Sequence, residues 1–287
     1  MVGDANIKRD PPRKSLLSGF VSGFFKIRDE PTVWGRSLMA VLCVGLILLL
    51  WYVVTRGQPE ERLVSNQVIG SPAEVFGSFH SLWFDRALMR NLIDSFWRVL
   101  QGFFLAAAVA IPLGIVCGTF KRIDAFFAPV SIFGRNVPIS ALLPLTLLWF
   151  GMGESQKIGF IFIACVAFVL FDVTRSVGDV NKDYLDTAYT LGASRIQVIT
   201  KVLIPLAMPD IVNSLRLLFG LAFGYIILAE AIEANTGVGV LIMQSLRRGP
   251  REHVYLILFF ITVVAFLLDR LLFWIQSSLF AYRYGRK

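Results

Sequence analysis

Long apolar runs alternate along the chain with short polar segments, and the runs are of bilayer length. Residues 37–55 are uncharged between Arg36 and Arg56, and further runs cover 91–118, 125–150, 157–173, 209–230 and 254–275. A helix crosses the hydrocarbon core with about 20 residues. The pattern therefore predicts an all-α integral membrane protein with six transmembrane helices. Pro129, Pro138 and Pro144 fall in the third run and are expected to interrupt it. Ahead of the first run, Leu16, Leu17, Phe20, Val21, Phe24 and Phe25 recur in steps of about four. That period predicts an interfacial amphipathic helix in a basic tail over 1–36. Residues 37–90 are read as the first transmembrane helix and a polar loop with a short helix near 72–80. Residues 91–280 form the transmembrane core.

The segment between the fourth and fifth runs is different in kind. It reads Asp183-Tyr-Leu-Asp-Thr-Ala-Tyr-Thr-Leu-Gly-Ala-Ser-Arg195 and continues to Val202-Leu-Ile-Pro205. Asp183 is expected to cap a first helix, with Asp186 complementing the same N-terminal dipole. Gly192 ends that helix where a positive φ costs least. Ser194 caps a second short helix through Lys201, and Pro205 marks its passage into the next span. Arg175, Lys182, Arg195 and Lys201 flank a helix–glycine–helix knob held out from the membrane, a handle for a soluble partner.

Composition agrees with this reading: 56% of the 287 residues are hydrophobic and 17% charged, against about 25% charged in soluble domains. The net charge of +8 does not indicate nucleic acid, because the cations sit in loops between apolar runs and not in one stripe. Six spans put both termini on one side. The tail, the 121–122 turn, the knob and the C-terminus hold sixteen Lys and Arg against eight in the opposite loops. By the positive-inside rule both termini and the knob are cytoplasmic. Cys43, Cys117 and Cys165 fall in separate apolar runs as reduced packing residues, with no metal spacing. His80 and His253 stand alone and are read as solvated or interfacial. No P-loop sequence occurs, so the chain is expected to hold no nucleotide, cofactor or metal of its own.

An ionisable group at mid-bilayer costs about 2.5–3.5 kcal/mol on insertion scales and calls for a reason. Arg135 and Asn136 sit where Pro138 breaks the helix; they line a translocation path attractive to anions, or Arg135 is a packing or snorkelling residue. Asp210, Asn213 and Arg216 are spaced to pair locally or to line an inner gate. Glu230 is either a gate or dock residue or a solvated helix end. With Trp149, the candidate path residues are Arg135, Asn136, Pro138, Trp149, Arg216 and Glu230. Gly114 with Gly118, and Gly220 with Gly224, have the spacing of close helix contacts, within one protomer or across a dimer. No nucleophile, acid pair or metal cluster supports an enzyme.

Asp186-Thr-Ala188, three residues, Gly192, nine residues and Val202-Leu-Ile-Pro205 resemble the E-A-A-x3-G-x9-I-x-L-P loop of binding-protein-dependent ABC importer permeases. Within these the chain is most similar to the nitrate/sulfonate/taurine/bicarbonate permeases. Gly70-Ser-Pro-Ala-Glu-Val75, Ser95-Phe-Trp-Arg-Val-Leu-Gln-Gly102, Ile111-Pro-Leu-Gly114, Leu148-Trp-Phe-Gly-Met-Gly153 and Gly237-Val-Gly239 extend the likeness over about 65–280. Asp186 and Thr187 depart from the motif's Glu and first Ala. The resemblance implies a type I (MetI-like) importer permease fold with a cytoplasmic coupling-helix loop. It implies no catalysis by the chain itself, a separate ABC ATPase subunit, a second and identical permease copy, and a periplasmic or lipid-anchored binding protein. Tyr184, Leu185, Asp186, Thr187, Ala188, Leu191, Gly192, Ala193 and Pro205 then form the ATPase-coupling surface. Ala188 and Gly192 are small for close approach, and Tyr184, Leu185, Ala188 and Leu191 supply its apolar part. The alternative is a stand-alone secondary transporter or channel, which needs no knob; many such transporters are built from two related halves, and no convincing internal repeat is visible.

Overall fold

In hydrocarbon every backbone N–H and C=O must be satisfied within the protein, so an apolar chain crosses as helix. The structure, a computed structural model, describes residues 32–57, 64, 68–232 and 234–284, and among these there is no strand. The amphipathic tail helix expected over Leu16 to Phe25 lies outside them. Two compact units divide at Arg56 and Gly57. The first contains α1 (Val33–Val54), capped by Thr32 through the Gly35 N–H; Cys43, expected to pack, is exposed on it.

The second unit opens with α2 (Pro72–Gly77), started by a capping box between Ser71 and Glu74. Then follow α3 (Leu88–Thr119), α4 (Lys121–Asn136), a 3-10 turn (Ile139–Leu142), α5 (Leu143–Phe150), α6 (Glu154–Gly178), α7 (Lys182–Thr190) and α8 (Arg195–Val198). A π turn (Ile199–Leu203) leads into α9 (Ile204–Ile232), and α10 (Val238–Arg248), α11 (Glu252–Leu279) and α12 (Ala281–Tyr284) complete the chain. Five helical segments are long and apolar enough to cross a membrane, and α4 with the 139–150 segment makes a sixth only if a pair bent by 95° counts as one broken span. Pro138 causes the bend. Val137 before it is extended, at φ −68° and ψ 129°, as the residue preceding a proline prefers. Pro129, in contrast, is absorbed inside α4.

The fifth span also differs from expectation. Helix runs without a stop from Arg195 to Ile232, so Pro205 ends nothing. The wide π turn just before it accommodates a residue with no N–H to give. Pro209, one turn on, likewise leaves the Pro205 carbonyl without its helical donor, and the Tyr282 hydroxyl fills that place at 2.9 Å.

The core lies between α3, α6 and α9. Glycines bring α3 and α6 together: a Cβ on Gly114 would lie 2.7 Å from Val173 Cβ, and one on Gly118 2.6 Å from Val177 Cβ. That pair therefore serves packing within this chain. Nothing lies within 4 Å of a Cβ on Gly220 or Gly224, so these two make no close helix contact here. Phe103, Phe219 and Phe223 stack edge to face between α3 and α9, and Cys117 and Cys165 are buried in the same core.

Candidate functional site

The polar residues fall into a knob, a bend and a far-end knot. In the knob the cap is Asn181 and not Asp183: the Asn181 side chain accepts the Asp183 N–H at 3.1 Å. Both residue types cap well, and the helix begins two residues earlier than expected, at Lys182. At the other end, Gly192 takes φ +82°. Its N–H reaches the Tyr189 carbonyl at 2.9 Å, and the Ala193 N–H reaches the Ala188 carbonyl at 3.0 Å. These two bonds are a Schellman closure. Ser194 then starts α8 with a capping box to Gln197.

No residue of α7 is buried. Asp186, Thr187 and Gly192 are exposed, and Leu185, Ala188 and Ala193 are half-buried. Tyr184 and Leu191 stand open at 56% and 82% exposure, joined by Tyr189 and by Ile196 at 73%. A short helix that presents apolar side chains and buries none against its own chain has the character of a partner surface.

The six candidate path residues are not gathered into one cluster. Arg135, Asn136 and Pro138 sit at the bend, where the Arg135 guanidinium lies 3.7 Å over the Phe171 ring. Among the described residues no hydrogen bond and no carboxylate within 4.0 Å engages Arg135. The Asp172 carboxylate lies within electrostatic reach of Arg135 and of Arg175, and faces Ser214. The Asn136 amide turns back to the Ile132 carbonyl at 2.7 Å. Trp149 is exposed near the end of α5. Arg216 pairs with Asn213 at 3.3 Å and with Asp269 at 3.3 Å. Asp210, the third member of that local group, joins Arg283 instead at 2.8 Å.

Glu230 overturns its reading as a solvated helix end: it is 1% exposed. Its carboxylate accepts the Ser95 hydroxyl at 2.8 Å, an Arg98 N–H at 2.8 Å and the Gly239 N–H at 3.0 Å. Arg98 meets Glu154 side by side at 2.6 and 2.7 Å, and the Thr236 carbonyl and hydroxyl at 2.7 and 3.0 Å. Those contacts use all five guanidinium N–H groups. Asn91 closes the knot from two sides. Its amide holds the Ala87 carbonyl at 3.1 Å, beside the one non-glycine positive φ among the described residues, while its oxygen accepts the Gly237 N–H at 2.6 Å.

Lys157, 3% exposed and 3.7 Å from Glu154, balances the charge: two cations face two carboxylates. The glycines fit this knot by necessity. A Cβ on Gly237 would lie 2.3 Å from the Glu230 carboxyl carbon, and one on Gly239 2.5 Å from the Ile227 carbonyl. His253, read as solvated or interfacial, is buried, with Nε2 2.8 Å from the Ser81 hydroxyl. Ser95, Arg98, Glu154 and Thr236 were not among the sequence candidates. The available signal was the cost of Arg98 inside an apolar run.

The family of the binding-protein-dependent transport system inner membrane component matches residues 110–280. A putative ABC transporter permease protein of Methanocaldococcus jannaschii is 35% identical over 260 residues, covering 90% of this chain and 95% of that protein. The taurine transport system permease protein TauC of Escherichia coli is 30% identical over 244 residues, or 82% and 87% of the two chains. Among solved structures, the inward-facing MetNI methionine ABC transporter superposes with a TM-score of 0.62 at 18% identity, covering 70% of this chain and 98% of that one. At that identity the likeness concerns the fold.

Proposed function

This chain belongs to the binding-protein-dependent transport system inner membrane components, the permease subunits of ABC importers, and we propose that it is driven by a separate ATPase subunit seated on the 183–205 knob. The observation that carries the reading is the exposed helix–Gly192–helix corner. Its rigid closure transmits force, and Tyr184, Leu191 and Gly192 offer an apolar, closely approachable surface. Asp186 supplies a carboxylate for the partner's rim, and Thr187 and Ala193 flank it. Leu185 and Ala188, half-covered by their own chain, hold the corner from behind, and Pro205 lies at its base.

The knob and both termini face the cytoplasm, following the distribution of Lys and Arg, and the Arg98 end faces outward to a periplasmic or lipid-anchored binding protein. A second copy completes the pathway. The face of α9 formed by Leu217, Gly220, Leu221, Gly224 and Leu228 is exposed, and its glycines leave room for a facing helix. Residues 91–280 are the transport core. A cysteine replacing Leu191 is expected to cross-link to the ATPase subunit of the assembled importer; an absent cross-link at every exposed knob position would refute the docking site.

The transported solute is a small molecule with an oxyanion group, of the class of sulfonates, taurine, bicarbonate or nitrate. The support is a contrast between intramembrane arginines. Arg98 has every donor occupied and Arg216 is paired to Asp269, whereas Arg135 rests on the Phe171 face in the field of Asp172, and among the described residues no acceptor takes its donors, which leaves them for an anion. Asn136 and Pro138 share that bend. Arg135→Gln is expected to lower the uptake rate at least about tenfold, the weight of one charge-assisted contact, with ATP hydrolysis by the complex largely kept. Uptake unchanged in that variant would remove Arg135 from the path.

A further inference from the structure

The helices that carry the knob are joined twice. At the knob end, residues 179–194 connect α6 to the segment that becomes α9. At the opposite end, the first residue of α6, Glu154, and a residue of the last turn of α9, Glu230, meet the same guanidinium. Between these points α6 covers 25 residues, about 37 Å at 1.5 Å per residue, and it packs on α9 through the apolar core, with Asp172 facing Ser214 nearer the knob. In a bilayer such packing has no hydrophobic effect behind it, because lipid chains solvate the same side chains, so interhelical polar bonds carry more of the register. Among the described residues the polar knot is what ties the two outer ends together through polar groups.

We propose that Arg98 is a positioning residue that locks α6 and α9 into one lever, so that movement at the knob arrives undiminished at the outer face. Three features of the knot carry this assignment. The guanidinium has no donor left for a solute, which makes it mechanical and not a binding group. Its partners come from α6, α9 and the loop before α10, with Arg98 itself on α3, so the outer loop moves with the lever. The cluster of Arg98, Lys157, Glu154 and Glu230 is neutral in sum and closed by Ser95, Asn91 and the N–H groups of Gly237 and Gly239. A neutral cluster whose central guanidinium has every donor bonded behaves as one rigid piece.

The proposal rests on the ATPase-driven reading above. Its test is Glu154→Gln, which releases the α6 side while Glu230 keeps Ser95, Arg98 and Gly239. The Glu154 side chain is 61% exposed, so the variant is expected to fold. In proteoliposomes holding the complete importer and its binding protein, ATP hydrolysis should persist while solute imported per ATP falls about fivefold, a coupling loss in the range seen for residues between two sites. Glu154→Asp, which keeps the charge, should regain at least half of the lost ratio. An unchanged ratio in Glu154→Gln overturns the lever, and so does a Glu154→Asp variant that couples no better. If the wild-type complex imports without hydrolysing ATP, the underlying reading fails instead, and the lever with it.

Discussion

Arg98→Ala is expected to destabilise the protein by about 3–5 kcal/mol, the cost of leaving a buried charge without its partner. Glu230 stays 1% exposed with only Ser95 and the Gly239 N–H to stabilise it, and the Thr236 carbonyl loses its donor. The cavity left by the side chain is small beside the uncompensated carboxylate. Thermal unfolding of the detergent-solubilised chain should show the loss as a large fall in Tm. A second variant separates charge from packing: Arg98→Met with Glu230→Gln removes both charges while the new amide oxygen still accepts from Ser95 and Gly239. That double variant should recover more than half of the lost stability, because neutralising both partners of a buried pair costs far less than removing one. Equal losses in the single and double variants would show that shape, and not charge, holds the knot.

The reach of sequence reasoning follows the distance over which each feature is decided. Spans, capping boxes and the Gly192 corner depend on neighbours within a few residues, and each was visible. The choice between Asn181 and Asp183 as cap was not, since both types accept a backbone N–H and the start of helical dihedrals decides. The 95° bend at Pro138 was visible as a break but not as an angle, which depends on what α4 and α5 pack against. The knot is the least legible part. Arg98 meets Glu154 across 56 positions and Glu230 across 132, and no local pattern links them. Glu230 resembled a solvated helix end because it closes an apolar run. What buries it is the return of the 234–239 loop, possible only because Gly237 and Gly239 have no side chain.

The three arginines show how the same rule can be applied unevenly. The expense of a charge in hydrocarbon singled out Arg135, where a proline drew attention. It applied equally to Arg98, which lies inside the 91–118 apolar run. Counting occupied donors separates them: Arg98 has none left, which is the basis for assigning it a mechanical role and Arg135 the proposed solute contact.

Gly192→Asp is expected to abolish ATP-driven uptake while the chain still folds and inserts. The corner sits at φ +82° and nothing lies within 4 Å of a Cβ built there. Within this chain, then, a side chain meets no atom, and its cost is the left-handed conformation alone, about 1–2 kcal/mol for an ordinary residue and less for Asn or Asp. Such a cost falls on an exposed corner far from the core and should shift Tm by only a few degrees. Any greater effect must come from what approaches the corner from outside. Gly192→Asn isolates that effect, because asparagine tolerates this conformation and adds bulk without charge. If the ATPase subunit seats against Gly192, the Asn variant should weaken its binding about 30-fold or more, the size of a central contact worth at least 2 kcal/mol, and Asp should add desolvation of a charge to that loss. Gly192→Ala, smaller but more strained, should bind better than Asn yet unfold earlier. An Asn variant that holds the ATPase and imports solute like the wild type would place the contact elsewhere on the chain.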